Sequence, residues 1–100
     1  NDSYILMQIN RQNVETRLDT VTTHNVMSPK LAKRLNLEIF SPEFGDLTSL
    51  SGADGKELDV LGTVEFAVKI RGYLFPTTAF VVDRLSENLL IGSNFLGNSY

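Results

Sequence analysis

Ile5, Met7 and Ile9 alternate with Leu6, Gln8 and Asn10, and beyond a polar run, Asn10-Arg11-Gln12-Asn13, Val14, Thr16 and Leu18 alternate with Glu15 and Arg17. A period of two on both sides of a polar turn predicts a β-hairpin, and this one delivers the chain to Asp19. Ser28 is a good N-cap with Pro29 at the first helical position. Leu31, Ala32 and Leu35 then share one face before Asn36 supplies a stop, which predicts one short helix. Ser41, Pro42 and Gly45 break any period across residues 39–46, so that stretch reads as a surface loop. The longest clean strand follows: Val64, Phe66, Val68 and Ile70 point one way, Glu65, Ala67 and Lys69 the other, and Gly72 permits a tight turn. Residues 77–82 and Leu89-Leu90-Ile91 are more continuous apolar runs, as expected of strands covered on both sides. Phe95 and Leu96 fit a second short helix that starts near Ser93. No internal repeat, low-complexity tract or linker interrupts the pattern. The expectation is an all-β fold with one or two short helices, in a single domain spanning 1–100.

Composition narrows the function classes. A chain of 100 residues with 42% hydrophobic content holds one modest core. Its net charge of -3 is scattered, with no Lys or Arg run to track a phosphate backbone, so no nucleic acid is expected as a partner. With no cysteine and one histidine there is neither a disulfide framework nor a soft-ligand zinc site, and no metal or cofactor is expected. No apolar run approaches the ~20 residues of a membrane span, and Asn1-Asp2-Ser3 has no signal-peptide pattern. The chain therefore reads as an intracellular, cytoplasmic domain excised from a longer protein, with no membrane partner.

Among the candidate catalytic groups, His24 has no periodic partner and reads as structural or exposed. No serine sits in a Gly-x-Ser-x-Gly elbow, and Gly52 and Gly55 lie in a polar hairpin without the lysine and helix of a phosphate loop. Asp19 differs from the other acids. It directly follows a buried-looking strand and precedes Thr20, Val21, Thr22 and Thr23, whose hydroxyls can hold a carboxylate in place. An Asp before Thr is also a common turn opener, so the local pattern leaves both readings open.

Leu18-Asp19-Thr20-Val21-Thr22-Thr23-His24-Asn25-Val26-Met27-Ser28, continuing into Leu31-Ala32-Lys33-Arg34-Leu35, resembles the active-site loop and following segment of retropepsins, the aspartic proteases of retroviruses and long-terminal-repeat retrotransposons. Ala53-Asp54-Gly55-Lys56 with Leu61-Gly62-Thr63-Val64 is similar to that family's flap hairpin and next strand. Glu87-Asn88-Leu89-Leu90-Ile91-Gly92-Ser93-Asn94-Phe95-Leu96 resembles its hydrophobic-hydrophobic-Gly block and C-terminal helix. The resemblance implies a closed barrel that is one half of a bilobal acid-protease architecture. It also implies a homodimer in which each subunit contributes one aspartate, Asp19, to a proton-sharing dyad. Thr20 would brace the loop across the interface. A flap over residues 47–60, tipped by Gly52, Ala53, Asp54 and Gly55, would close on an extended peptide or polyprotein segment.

One departure bears on activity, because the family's third motif position is glycine and this chain has Val21. A β-branched residue adds bulk beside the carboxylates and, at positive φ, about 1–3 kcal/mol of strain per copy. Thr22 in place of the usual small residue is a milder change. A displacement of about 1 Å in a catalytic constellation costs ~100-fold in rate. The implied function is therefore a retroelement-derived domain, degenerate in catalysis, that serves as a dimerisation or peptide-binding module. The alternative is an active aspartic endopeptidase that tolerates Val21. The polar termini further suggest that the dimer rests on surfaces other than terminal strands.

Overall fold

A computed structural model describes residues 3–52 and 55–98, with the backbone alone from residue 96. Ala53 and Asp54 of the expected flap tip, and the terminal residues Asn1, Asp2, Ser99 and Tyr100, lie outside the described residues. Strands β1 (Ser3–Ile9) and β2 (Gln12–Leu18) form the first hairpin. Its loop is tighter than the polar run suggested. Only Asn10 (φ 51°) and Arg11 (φ 64°) stand between the strands, in the doubly left-handed turn whose twist matches a β-hairpin. Gln12 and Asn13 already belong to β2, and the Asn10 side chain donates to the Leu35 carbonyl at 3.2 Å, fixing the turn to the helix end.

After the short strand β3 (Val26–Met27), helix α1 (Pro29–Arg34) begins as its sequence predicts: the Leu31 N–H donates to Ser28 Oγ at 3.1 Å. It ends with Asn36 left-handed (φ 59°), while the N–H groups of Asn36 and Leu37 return to the carbonyls of Lys33 and Ala32. Leu31, Ala32 and Leu35 are all buried. The loop over residues 39–46 is tied to the sheet by a two-bond bridge between Phe40 and Thr63. Gly62 makes that approach possible, because a Cβ there would collide with the Phe40 carbonyl oxygen.

The remaining elements are β4 (Ser49–Ser51), β5 (Glu57–Ile70), β6 (Tyr73–Val82), β7 (Leu89–Ile91) and α2 (Ser93–Asn98). The strands run in the order β1-β2-β7-β3-β6-β5-β4, and β1 also pairs with β5 through Gln8–Lys69 and Ile9–Val68. This last pairing closes six strands into a barrel and leaves β4 as a flange on β5. The alternation in β5 holds, with Val64, Phe66 and Val68 buried and Glu65 and Lys69 exposed. The apolar runs fare differently. Leu89–Ile91 is buried throughout, whereas in β6 Thr78 is exposed and cover on both faces starts only at Ala79.

Two apolar clusters result. The larger fills the barrel with Met7, Ile9, Val14, Val64, Val68 and Leu89 and is capped by α1, with Phe95 of α2 packed against it. The smaller holds Val26, Val60, Val82 and Leu90, joined by Leu50 of β4, Leu58 of β5, Phe80 and Leu85. It therefore lies between the β4–β5 hairpin and the sheet, on the face away from the larger core.

Candidate functional site

Asp19 leaves β2 with its N–H bonded to the Ile91 carbonyl at 2.9 Å, so the loop that follows starts from an anchored backbone. Its carboxylate is held from within that loop. Oδ1 accepts the Val21 N–H at 2.9 Å and, more loosely, the Thr22 N–H at 3.4 Å, while Oδ2 accepts the Thr22 hydroxyl at 2.9 Å. These donors favour the ionised form. The Thr22 hydroxyl, then the Val21 N–H, hold the Asp19 pKa below its ordinary 3.8, against a small opposing effect of burial. Thr22, expected only as a milder change from a small residue, is thus a principal holder of the carboxylate.

The back of the loop is fastened by the β7–α2 junction. The Ser93 and Asn94 N–H groups donate to the Thr22 and Thr23 carbonyls at 2.7 and 3.1 Å. The Gly92 N–H donates to Asn25 Oδ1 at 3.0 Å, and Asn25 Nδ2 donates in turn to the Thr78 carbonyl. A Cβ on Gly92 would stand 2.7 Å from the carbonyl oxygens of both Thr22 and His24, so only glycine lets the two backbones meet. In the sequence Asn25 carries no signal of this role, whereas Gly92 is the glycine of the hydrophobic-hydrophobic-Gly block. His24 sets its ring edge-on to Phe80 at 5.2 Å.

Val21 is 91% exposed and is absent from the residues with positive φ. Backbone strain is therefore not a consequence of valine at this position, and its isopropyl group stands almost wholly in solvent. What remains of the expected effect is bulk toward whatever approaches the carboxylate. Thr20 is also exposed.

The expected flap corresponds to the β4–β5 hairpin, where Ser49, Leu50 and Ser51 pair with Asp59, Leu58 and Glu57. Its tip is closed by Gly52 N–H to the Lys56 carbonyl at 2.7 Å and Gly55 N–H to the Gly52 carbonyl at 3.0 Å. The hairpin reaches the sheet through Leu50 and Leu58, which pack on the smaller cluster. A second feature went unread in the sequence: Arg17, two residues before Asp19, pairs with Glu87 at 3.5 Å. Among the described residues no three or more metal-binding side chains come together, and no helix is long and apolar enough to cross a membrane.

Three solved structures are similar to this chain. The EIAV protease, solved in complex with an inhibitor, aligns with a TM-score of 0.74 at 18% identity over 99% of this chain and 88% of its own. The retroviral protease-like domain of Ddi1 from Leishmania major gives 0.71 at 17% identity, covering 95% and 74%. A retropepsin-like aspartic protease from Rickettsia conorii gives 0.65 at 16% identity, covering 97% and 70%. These likenesses establish the retropepsin-like fold. No curated protein matches by sequence. The family model for the gag-polyprotein putative aspartyl protease matches residues 5–98, and with nearly the whole chain inside that match, the anchored Asp19 loop belongs to a member of this aspartyl protease family.

Proposed function

We propose that the domain acts as a two-fold dimer that holds an extended peptide or polyprotein segment across a pair of Asp19 carboxylates, with hydrolysis by that pair slowed by Val21. The observation that carries this reading is the Asp19 loop itself, whose carboxylate has three donors in place while the neighbouring valine side chain stands in solvent. One chain supplies one such loop, so a second copy is needed to complete the site. Two facing carboxylates share a proton, because like charges so close do not both ionise. The ionised member takes a proton from a water that attacks the peptide carbonyl, and the protonated member passes its proton to the leaving nitrogen. Thr20, exposed in the same loop, would brace it against the partner. The β4–β5 hairpin, with Gly52 and Gly55 at its described end, would close over the peptide and bond its backbone by strand addition.

A second reading, an active endopeptidase, is favoured by one observation: Val21 imposes no left-handed backbone and leaves the Asp19 contacts intact. Peptide cleavage by the unmodified domain, Val21→Gly, and the double variant Val21→Gly with Asp19→Ala separates the two. Under the first reading Val21→Gly raises cleavage about tenfold or more, and loss of Asp19 abolishes it. Efficient Asp19-dependent cleavage by the unmodified domain selects the second reading. A strict monomer in sedimentation at high concentration refutes both.

A further inference from the structure

Tyr4 of β1 lies opposite Arg17 of β2, Arg17 opposite Leu90 of β7, and Leu90 opposite Val26 of β3. Residues opposite one another on neighbouring strands project from the same face. This row is therefore on the face of the smaller apolar cluster, to which Leu90 and Val26 belong, beneath the β4–β5 hairpin. Alternate residues of a strand also share a face, so Asp19, whose N–H continues the ladder to Ile91, leaves the sheet on that side about 7 Å beyond Arg17.

The row thus ends in ions beside the carboxylate. Arg17 Nη1 lies 3.5 Å from Glu87 Oε1, and the Tyr4 hydroxyl donates to the same oxygen at 3.3 Å. The Arg17 and Glu87 side chains keep 24% and 25% of their surface in solvent, while Arg17 Nε is buried, which leaves the outer part of the fork for a ligand to meet. Behind the Thr22 hydroxyl and the Val21 N–H, the Arg17 charge also contributes to lowering the Asp19 pKa, as expected of neighbours on one face.

An extended peptide repeats its side chains on one side about every 7 Å, which matches the step from Asp19 to Arg17. We propose that Arg17 is a specificity-determining residue that selects a carboxylate or carboxamide side chain next to the peptide bond held at Asp19, with Glu87 as the competing carboxylate that such a ligand replaces. This rests on the reading of the Asp19 face as a peptide site. The 3.5 Å contact to Glu87 is longer than the about 2.7–2.9 Å of a good charge-assisted bond. A ligand carboxylate that engages the planar fork through two donors makes the better partner and displaces Glu87.

The test is fluorescence anisotropy on the full chain with eight-residue peptides that carry Glu, Leu or Lys at each position in turn. The unmodified chain should prefer Glu to Leu about tenfold at one position. Arg17→Leu should reverse that preference at the same position, and Glu87→Gln, which removes the competing carboxylate, should enlarge it. Arg17→Lys, which keeps the charge but loses the fork, should weaken it without reversal, and stands in if Arg17→Leu fails to fold. A preference unchanged across these variants while peptides still bind overturns the Arg17 assignment and leaves the peptide site standing. No peptide binding by the unmodified chain overturns both.

Discussion

Gly92→Ala is the smallest change that tests how the Asp19 loop is held. The new Cβ would stand 2.7 Å from the Thr22 and His24 carbonyl oxygens and 2.8 Å from the Thr23 carbonyl carbon. Ordinary contact begins at 3.4 Å, so one backbone must retreat by about 0.7 Å, and none of the three obstacles is a side chain that can swing aside. Overpacking of this kind costs about 1–3 kcal/mol. The retreat also stretches the Ser93–Thr22, Asn94–Thr23 and Gly92–Asn25 hydrogen bonds, each contributing about 1 kcal/mol. A loss of about 2–4 kcal/mol follows, which lowers the melting temperature by at least roughly 8 °C for a domain of this size. Urea unfolding followed by circular dichroism, at fixed protomer concentration because association shifts the apparent stability, gives the number. A variant within about 0.5 kcal/mol of the parent would show that the β7–α2 junction does not fasten the loop.

Thr22→Val removes the largest influence lowering the Asp19 pKa within one chain, so in the dissociated chain the carboxyl midpoint in a carbon-13 titration should rise toward the ordinary 3.8; an unmoved midpoint refutes the assignment. With its folded pKa depressed, Asp19 contributes stability that is complete above the unfolded value and is lost as pH falls through the folded one, and Thr22→Val should shrink that acid-labile share. Ser28→Ala deletes the acceptor of the Leu31 N–H at a helix of six residues and should cost about 1 kcal/mol in urea, where no change would mean that Pro29 alone sets the helix start. Hydrogen exchange should be faster at Ser49–Ser51, Gly52 and Gly55 than at Val64 and Val68, since β4 pairs with β5 alone; equal protection would make the hairpin a fixed turn.

The elements that could be read from the sequence are those fixed by neighbours in the chain. The alternation of residues 64–70, the Ser28-Pro29 start and the Asn36 stop depend on local periodicity and on backbone preferences. Asp19 was recognisable as a candidate because its holders Val21 and Thr22 are two and three residues away. Asn25 and the Arg17–Glu87 pair gave no such sign, because their partners are distant in the chain and meet only when the barrel closes, and Gly92 was legible only through the resemblance of its block. Val21 shows the opposite error. A valine in place of glycine suggested backbone strain, but strain depends on φ, which no residue type reveals, and φ at Val21 is not left-handed. Ile5 shares the face of Met7 and Ile9 yet remains exposed, since only the Met7 end of β1 lies over the large core.

The fastening of the Asp19 loop has a consequence for when the site comes into being. Asn25 receives its Gly92 partner 67 positions later in the chain, and Thr22 and Thr23 wait for Ser93 and Asn94 in the same way. During synthesis the hairpin β1–β2 and helix α1 can form from local contacts, while the loop between them lacks the donors that fix its carbonyls. Closing so long a span is among the slower steps of folding, and it precedes any ordered Asp19. A ribosome-bound chain that has not yet emitted Gly92 therefore carries a chemically complete Asp-Thr loop in an unfastened form, so site assembly is timed by translation of the β7–α2 junction.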